Sequence, residues 1–162
     1  VKKVVSWIED DFTSFDFGKS YSLETAHEAL KRQSWSFMRY LHDSLGLEWF
    51  AADAWRIYGT DYLFHKVGEK KARRDLQVPD KSNLLHYLNR HCGDFIGPYL
   101  PKWFGTLNAV FRMADFLCDA GVWSEETRDS WHRICQEIFQ ERYSPINKFT
   151  SWAFAFEKFP LY

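Results

Sequence analysis

The stretch Leu47-Glu48-Trp49-Phe50-Ala51-Ala52-Asp53-Ala54-Trp55-Arg56-Ile57-Tyr58-Gly59 decides the fold class. Leu47, Phe50, Ala51, Ala54, Trp55 and Tyr58 recur at i, i+3, i+4 and i+7 without a gap, the period of an amphipathic helix and not of a strand. The spacing predicts a helix with those six residues inward and Gly59 as its stop.

Upstream, Ser22 is a good N-cap, and Glu24 in the following turn favours the helix dipole. Leu23, Ala26, Leu30, Phe37, Leu41 and Leu45 share one helical face, and Gly46 ends it. Val1, Val4, Val5 and Ile8 predict a further amphipathic turn or two at the start, followed by an acidic, aromatic loop over 10–20.

Downstream, 60–79 is the least periodic region and reads as a short helix or two in an exposed basic connection. Asp80 then caps a helix carrying Leu84, Leu85, Leu88 and Cys92, closed by Gly93. Gly97, Pro98 and Pro101 break the chain, with Pro101 suited to the first position of the next helix. That helix presents Leu107, Val110, Phe111, Ala114, Leu117 and Cys118 and stops at Gly121. Ser124 opens another, with Trp131, Ile134, Cys135, Ile138 and Phe139 on one face. Ser144-Pro145 reads as an N-cap and N1 opening a last segment with Ile146, Phe149, Ala153 and Phe156. Trp152, Phe154 and Phe156 also alternate as a short strand would. Six or seven amphipathic helices with caps in the right order predict an all-α, bundle-like single domain over 1–162.

Composition agrees with a globular chain: 46% hydrophobic and 27% charged over 162 residues. A net charge of −1 excludes a general polyanion binder, so a nucleic-acid site would have to be a local patch. The longest uncharged run, Trp103 to Phe111, is nine residues and cannot cross a bilayer, so no membrane role is expected. The N-terminal residues turn acidic too soon for a signal peptide. Cys92, Cys118 and Cys135 are odd in number and lack CxxC spacing, which fits reduced thiols in the cytoplasm.

Catalytic motifs are weak. Gly18-Lys19-Ser20 resembles the end of a phosphate loop, but Thr13 stands where its first glycine belongs. No G-x-S-x-G elbow or cysteine-protease signature is present. Glu24-x-x-His27 and Asp129-x-x-His132 each put two metal ligands on one helix face, as di-iron bundles do. With 22 acids and 6 histidines in 162 residues, about one such pair arises by chance. Glu24, His27, Asp129 and His132 therefore stand only as a candidate metal set for a helical-bundle enzyme, and no cofactor is implied.

Two surfaces remain. Lys66, Lys70, Lys71, Arg73 and Arg74 stand against a single acid, Glu69, enough positive charge to engage several phosphates. Aromatic residues make up 19% of the chain, and Trp, Tyr and Phe are favoured at protein interfaces. Trp103, Phe104, Trp152 and Phe154 are the candidate docking residues, for a partner protein or a second copy. The leading expectation is a non-enzymatic accessory, adaptor or immunity-type protein that binds another protein. The alternative is a nucleic-acid-binding subunit using the patch at 66–74.

Overall fold

Serine and aspartate caps set where the helices begin. Ser22 Oγ accepts from the Thr25 amide at 3.1 Å, Asp80 Oδ1 from the Asn83 amide at 2.9 Å and Ser124 Oγ from the Thr127 amide at 3.1 Å. Each satisfies an amide left without a partner in the first turn, worth about 1 kcal/mol. The computed structural model describes residues 22–69, 75–94, 97–98 and 100–146. Among them are five helices: α1 (Leu23–Asp43), α2 (Trp49–Val67), α3 (Lys81–His91), α4 (Leu100–Asp119) and α5 (Glu125–Ile146). A short antiparallel pairing, β1 (Gly93–Asp94) with β2 (Gly97–Pro98), joins α3 to α4. The architecture is the expected all-α bundle. The expected turn at Val1–Ile8 and the expected segment around Phe149–Phe156 lie outside the described residues.

α1 packs on α2, α2 on α4 and α4 on α5, while α3 leans on α2, α4 and α5. α4 is the axis of the bundle. Every residue from Trp103 to Phe111 is buried, which explains the uncharged run: a helix surrounded by others is apolar on all sides. Its buried polar groups are satisfied locally. Asn108 Nδ2 donates to the Phe104 carbonyl at 3.0 Å, and the Thr106 hydroxyl lies 3.5 Å from Cys92 Sγ. One continuous core draws on all five helices, from Leu30 and Phe37 through Leu63 and Leu88 to Leu117 and Ile138. Trp131 anchors the segment before α3, its indole N–H donating to the Leu76 carbonyl at 3.1 Å. The indoles of Trp123 and Trp131 stack nearly parallel, 8° apart with centroids at 6.1 Å.

Gly46 and Gly121 end α1 and α4 as expected, both at positive φ, where a Cβ would be strained. Gly59 does not end its helix. α2 continues to Val67, and Gly59 sits where α4 crosses: a Cβ there would lie 3.3 Å from Ala109 Cβ. The glycine is there for close approach. In consequence Thr60, Tyr62, Leu63, Lys66 and Val67 belong to the inner face of α2, not to an exposed connection. Similarly, α5 runs through Ser144–Pro145 to Ile146, so those residues do not open a new helix.

The inner face of α2 also differs from the expected one. Ala52, Gly59, Tyr62 and Leu63 face the core, while Phe50 points to water. On α1, Leu23 is likewise exposed, because it lies in the first turn beyond the reach of α2 and α4; Ala26, Leu30, Phe37 and Leu41 are buried as expected.

Candidate functional site

The structure redistributes the residues singled out in the sequence. Lys66 is only 1% exposed, its Nζ lying 5.8 Å from the Trp131 ring centroid. Extension of α2 to Val67 turns position 66 inward, so Lys66 is no part of a solvent-facing basic patch. Lys70, Lys71, Arg73 and Arg74 lie outside the described residues. Trp103 and Phe104 are buried against one another, ring centroids 4.9 Å apart, and Trp103 Nε1 donates to Asn89 Oδ1 at 3.4 Å. They are core residues of the central helix and offer no docking surface. Trp152 and Phe154 lie outside the described residues.

The metal set is not assembled. Glu24 is exposed in the first turn of α1, and His27 packs edge-on against Phe64 with centroids at 5.0 Å. Asp129 pairs with Arg128 at 2.8 Å. His132 stacks on Phe111 at 3.7 Å and brings Nε2 to 2.9 Å from Asp115 Oδ1, off the line of a hydrogen bond. Among the described residues no three His, Cys, Asp or Glu side chains gather as metal ligands would.

Two arrangements emerge that sequence spacing did not isolate. The first is the outer face of the α1–α2 hairpin. The two helices run antiparallel in register, marked by His27 on Phe64, Arg56 over Trp35 and His42 stacked on Trp49 at 3.8 Å. Trp35 is 54% exposed, Trp49 49% and Phe50 89%, with Ile57 also exposed. The Arg56 guanidinium lies 4.5 Å from the Trp35 ring centroid and donates to Asp53 Oδ1 at 2.8 Å and Ser34 Oγ at 3.3 Å. Asp53 is one turn from Phe50, Arg56 and Ile57, so Phe50, Asp53 and Ile57 share one side of α2, with Arg56 and Trp35 further along the hairpin. The charged residues one turn from Trp35 on α1 are Lys31, Arg32 and Arg39, all basic and all exposed.

The second is a polar seam between α2 and α3. The Tyr62 hydroxyl donates to Asn83 Oδ1 at 3.2 Å, and Asn83 Nδ2 donates to Glu69 Oε1 at 3.3 Å. The same Glu69 oxygen lies 3.5 Å from the buried Nε2 of His65, within ion-pair range but not aligned for a hydrogen bond. His65, Tyr87 and His91 then form a triangle of rings, with centroids 5.0 to 5.2 Å apart. Burial first, and then His91, hold His65 below the ordinary imidazole value, with Glu69 opposing. Partial burial, Arg90, His86 and Lys102 do the same to His91. Beside this seam a cavity of about 450 Å³ is lined by Lys66, Asp75, Asp80, Lys81, Ser82 and Ile134. Burial lowers Lys66, opposed by Asp80, Asp75 and Glu69.

Neither arrangement couples a nucleophile to a base and an orienting acid. Burial raises all three thiols, and Cys92 and Cys135 are enclosed in the core. Among the described residues no helix is long and apolar enough to cross a membrane. The chain matches no family model, no curated protein and no solved structure.

Proposed function

We propose that the chain acts by binding another protein, through the outer face of the α1–α2 hairpin. The observation that carries this reading is the exposure of two large rings on the same hairpin, Phe50 at 89% and Trp35 at 54% beneath Arg56. A large ring held in water costs free energy that a partner's surface recovers. Trp and Arg are the side chains that most often anchor such contacts. The partner segment is acidic and apolar together: Lys31, Arg32 and Arg39 surround Trp35 on α1, while Phe50 and Ile57 need apolar cover. Unbridged Cys92, Cys118 and Cys135 support a reducing compartment, in keeping with a cytoplasmic accessory protein.

Panning a displayed peptide library against the purified chain tests this. Bound sequences should combine Asp or Glu with Leu, Phe or Trp. Phe50→Ser should weaken the synthesised peptides by about tenfold or more while leaving the melting temperature in place. Peptides that bind equally well to the Phe50→Ser and Trp35→Ser variants would remove the hairpin face from consideration. Retention of single-stranded DNA or RNA with a steep fall on adding salt would replace the protein reading with the nucleic-acid one.

A further inference from the structure

Where α2 meets α3, titratable rings lie near the C-terminal ends of both helices, with His65 half-buried and His91 exposed. His65 on α2 faces His91 on α3 at 5.2 Å, and Tyr87 packs against both. We propose that α3 is an acid-released element, loosened from α2 when His65 and His91 take up protons. The groups facing the pair decide the direction. From the turn after α2 comes one carboxylate in contact, Glu69, which already accepts from Asn83. Asp61, one turn before His65 on α2 and close enough to act on Tyr87, has its charge opposed by Lys102 and Arg56. From α3 come His86 and Arg90, and from α4 comes Lys102, whose Nζ donates to the His91 carbonyl at 3.1 Å.

One carboxylate therefore meets two new cations in a site that already holds Arg90 and Lys102. Both histidines sit below their ordinary value in the docked arrangement, so docking is favoured above that value and is lost as pH falls from it through the lower folded values. The other end of α3 is held differently. Lys81 Nζ donates to Glu137 at 3.0 Å and Glu141 at 2.7 Å on α5, a contact in which no histidine takes part. Acid thus acts on the α2 contact and leaves the α5 contact in place, uncovering Tyr62, which packs on Tyr87 at 5.3 Å.

Amide hydrogen exchange on the whole chain, corrected for intrinsic rates, tests this at pH 7.5 and 5.5. Protection across α3 should fall severalfold more than protection across α5, and the difference should vanish in the His65→Gln/His91→Gln double variant. Equal losses in α3 and α5, or an undiminished difference in the double variant, would overturn the proposal. Should the double variant fail to fold, NMR titration of the wild-type imidazoles decides. Midpoints for His65 and His91 below that of free histidine support release, and midpoints at or above it refute it.

Discussion

The ring of Tyr58 on α2 occupies the space that a side chain at Gly105 of α4 would need: a Cβ there would lie 2.9 Å from both Cδ2 and Cε2. Together with Gly59 against Ala109, this makes the α2–α4 crossing one of small residue against larger neighbour at two points along the contact. Gly105→Val should therefore destabilise the fold by about 2 kcal/mol in urea denaturation, despite valine's better helix propensity. Adding Tyr58→Ala should recover part of that loss, so that the double variant is less destabilised than the sum of the singles. Strict additivity would show that the two positions do not contend for the same space.

Lys66 gives a prediction with a definite sign. Its folded pKa lies below the ordinary lysine value of 10.5, chiefly through burial, so protonation favours the unfolded chain. Stability is then greatest above the ordinary value and is lost as pH falls through the folded one, leaving the whole penalty in force at pH 7. Lys66→Met should raise stability at pH 7 by about 1–2 kcal/mol, and the gain should shrink as pH rises toward 10. A loss at pH 7 would mean that the attraction of Asp80, Asp75 and Glu69 outweighs desolvation.

Core and surface aromatics should separate cleanly. Trp103→Ala removes a fully buried indole from the central helix and should cost about 3–5 kcal/mol. Phe50→Ser changes a ring that packs on almost nothing and should stay within about 0.5 kcal/mol of the native chain. Thermal or urea unfolding of the two variants side by side is sufficient, and similar losses for both would contradict the placement of Phe50.

Thiol accessibility offers a check on the α4–α5 packing. Cys118 is half-buried, with Arg128 Nη1 donating to its sulfur at 3.8 Å, whereas Cys92 and Cys135 are enclosed. Under native conditions a mild alkylating reagent followed by peptide mass mapping should mark Cys118 first and the other two only on unfolding. Early labelling of Cys135 would show that α5 does not sit as described.

Much of the fold was legible because caps and stops are local chemistry. Ser22, Asp80 and Ser124 open their helices through side chains three residues from the amides they satisfy, and Gly121 closes α4 by its own backbone freedom. The orientation of α2 was not legible. Trp49, Phe50, Ala51, Ala52, Ala54, Trp55, Ile57 and Tyr58 place apolar groups all round its first turns, so periodicity fitted several faces equally well. Only the crossing of α4 at Gly59 selects the one that is buried. The same ambiguity hid the exposed face, because Phe50 was counted inward. Lys66 misled in the opposite sense. It begins a run of positive charge in the sequence, yet lies one turn beyond Tyr62 and Leu63 on the buried side.

The parallel indoles of Trp123 and Trp131 have an optical consequence. Two such chromophores, 6.1 Å apart and 8° from parallel, couple their electronic transitions. Where their transition moments are turned relative to one another within those planes, the pair adds a circular-dichroism band over the far-ultraviolet signal of the helices, and ellipticity then reports more than helix content. The coupling depends on the turn after α4 being folded back against α5. Its disappearance would therefore register the loss of tertiary packing while the helices themselves still stand.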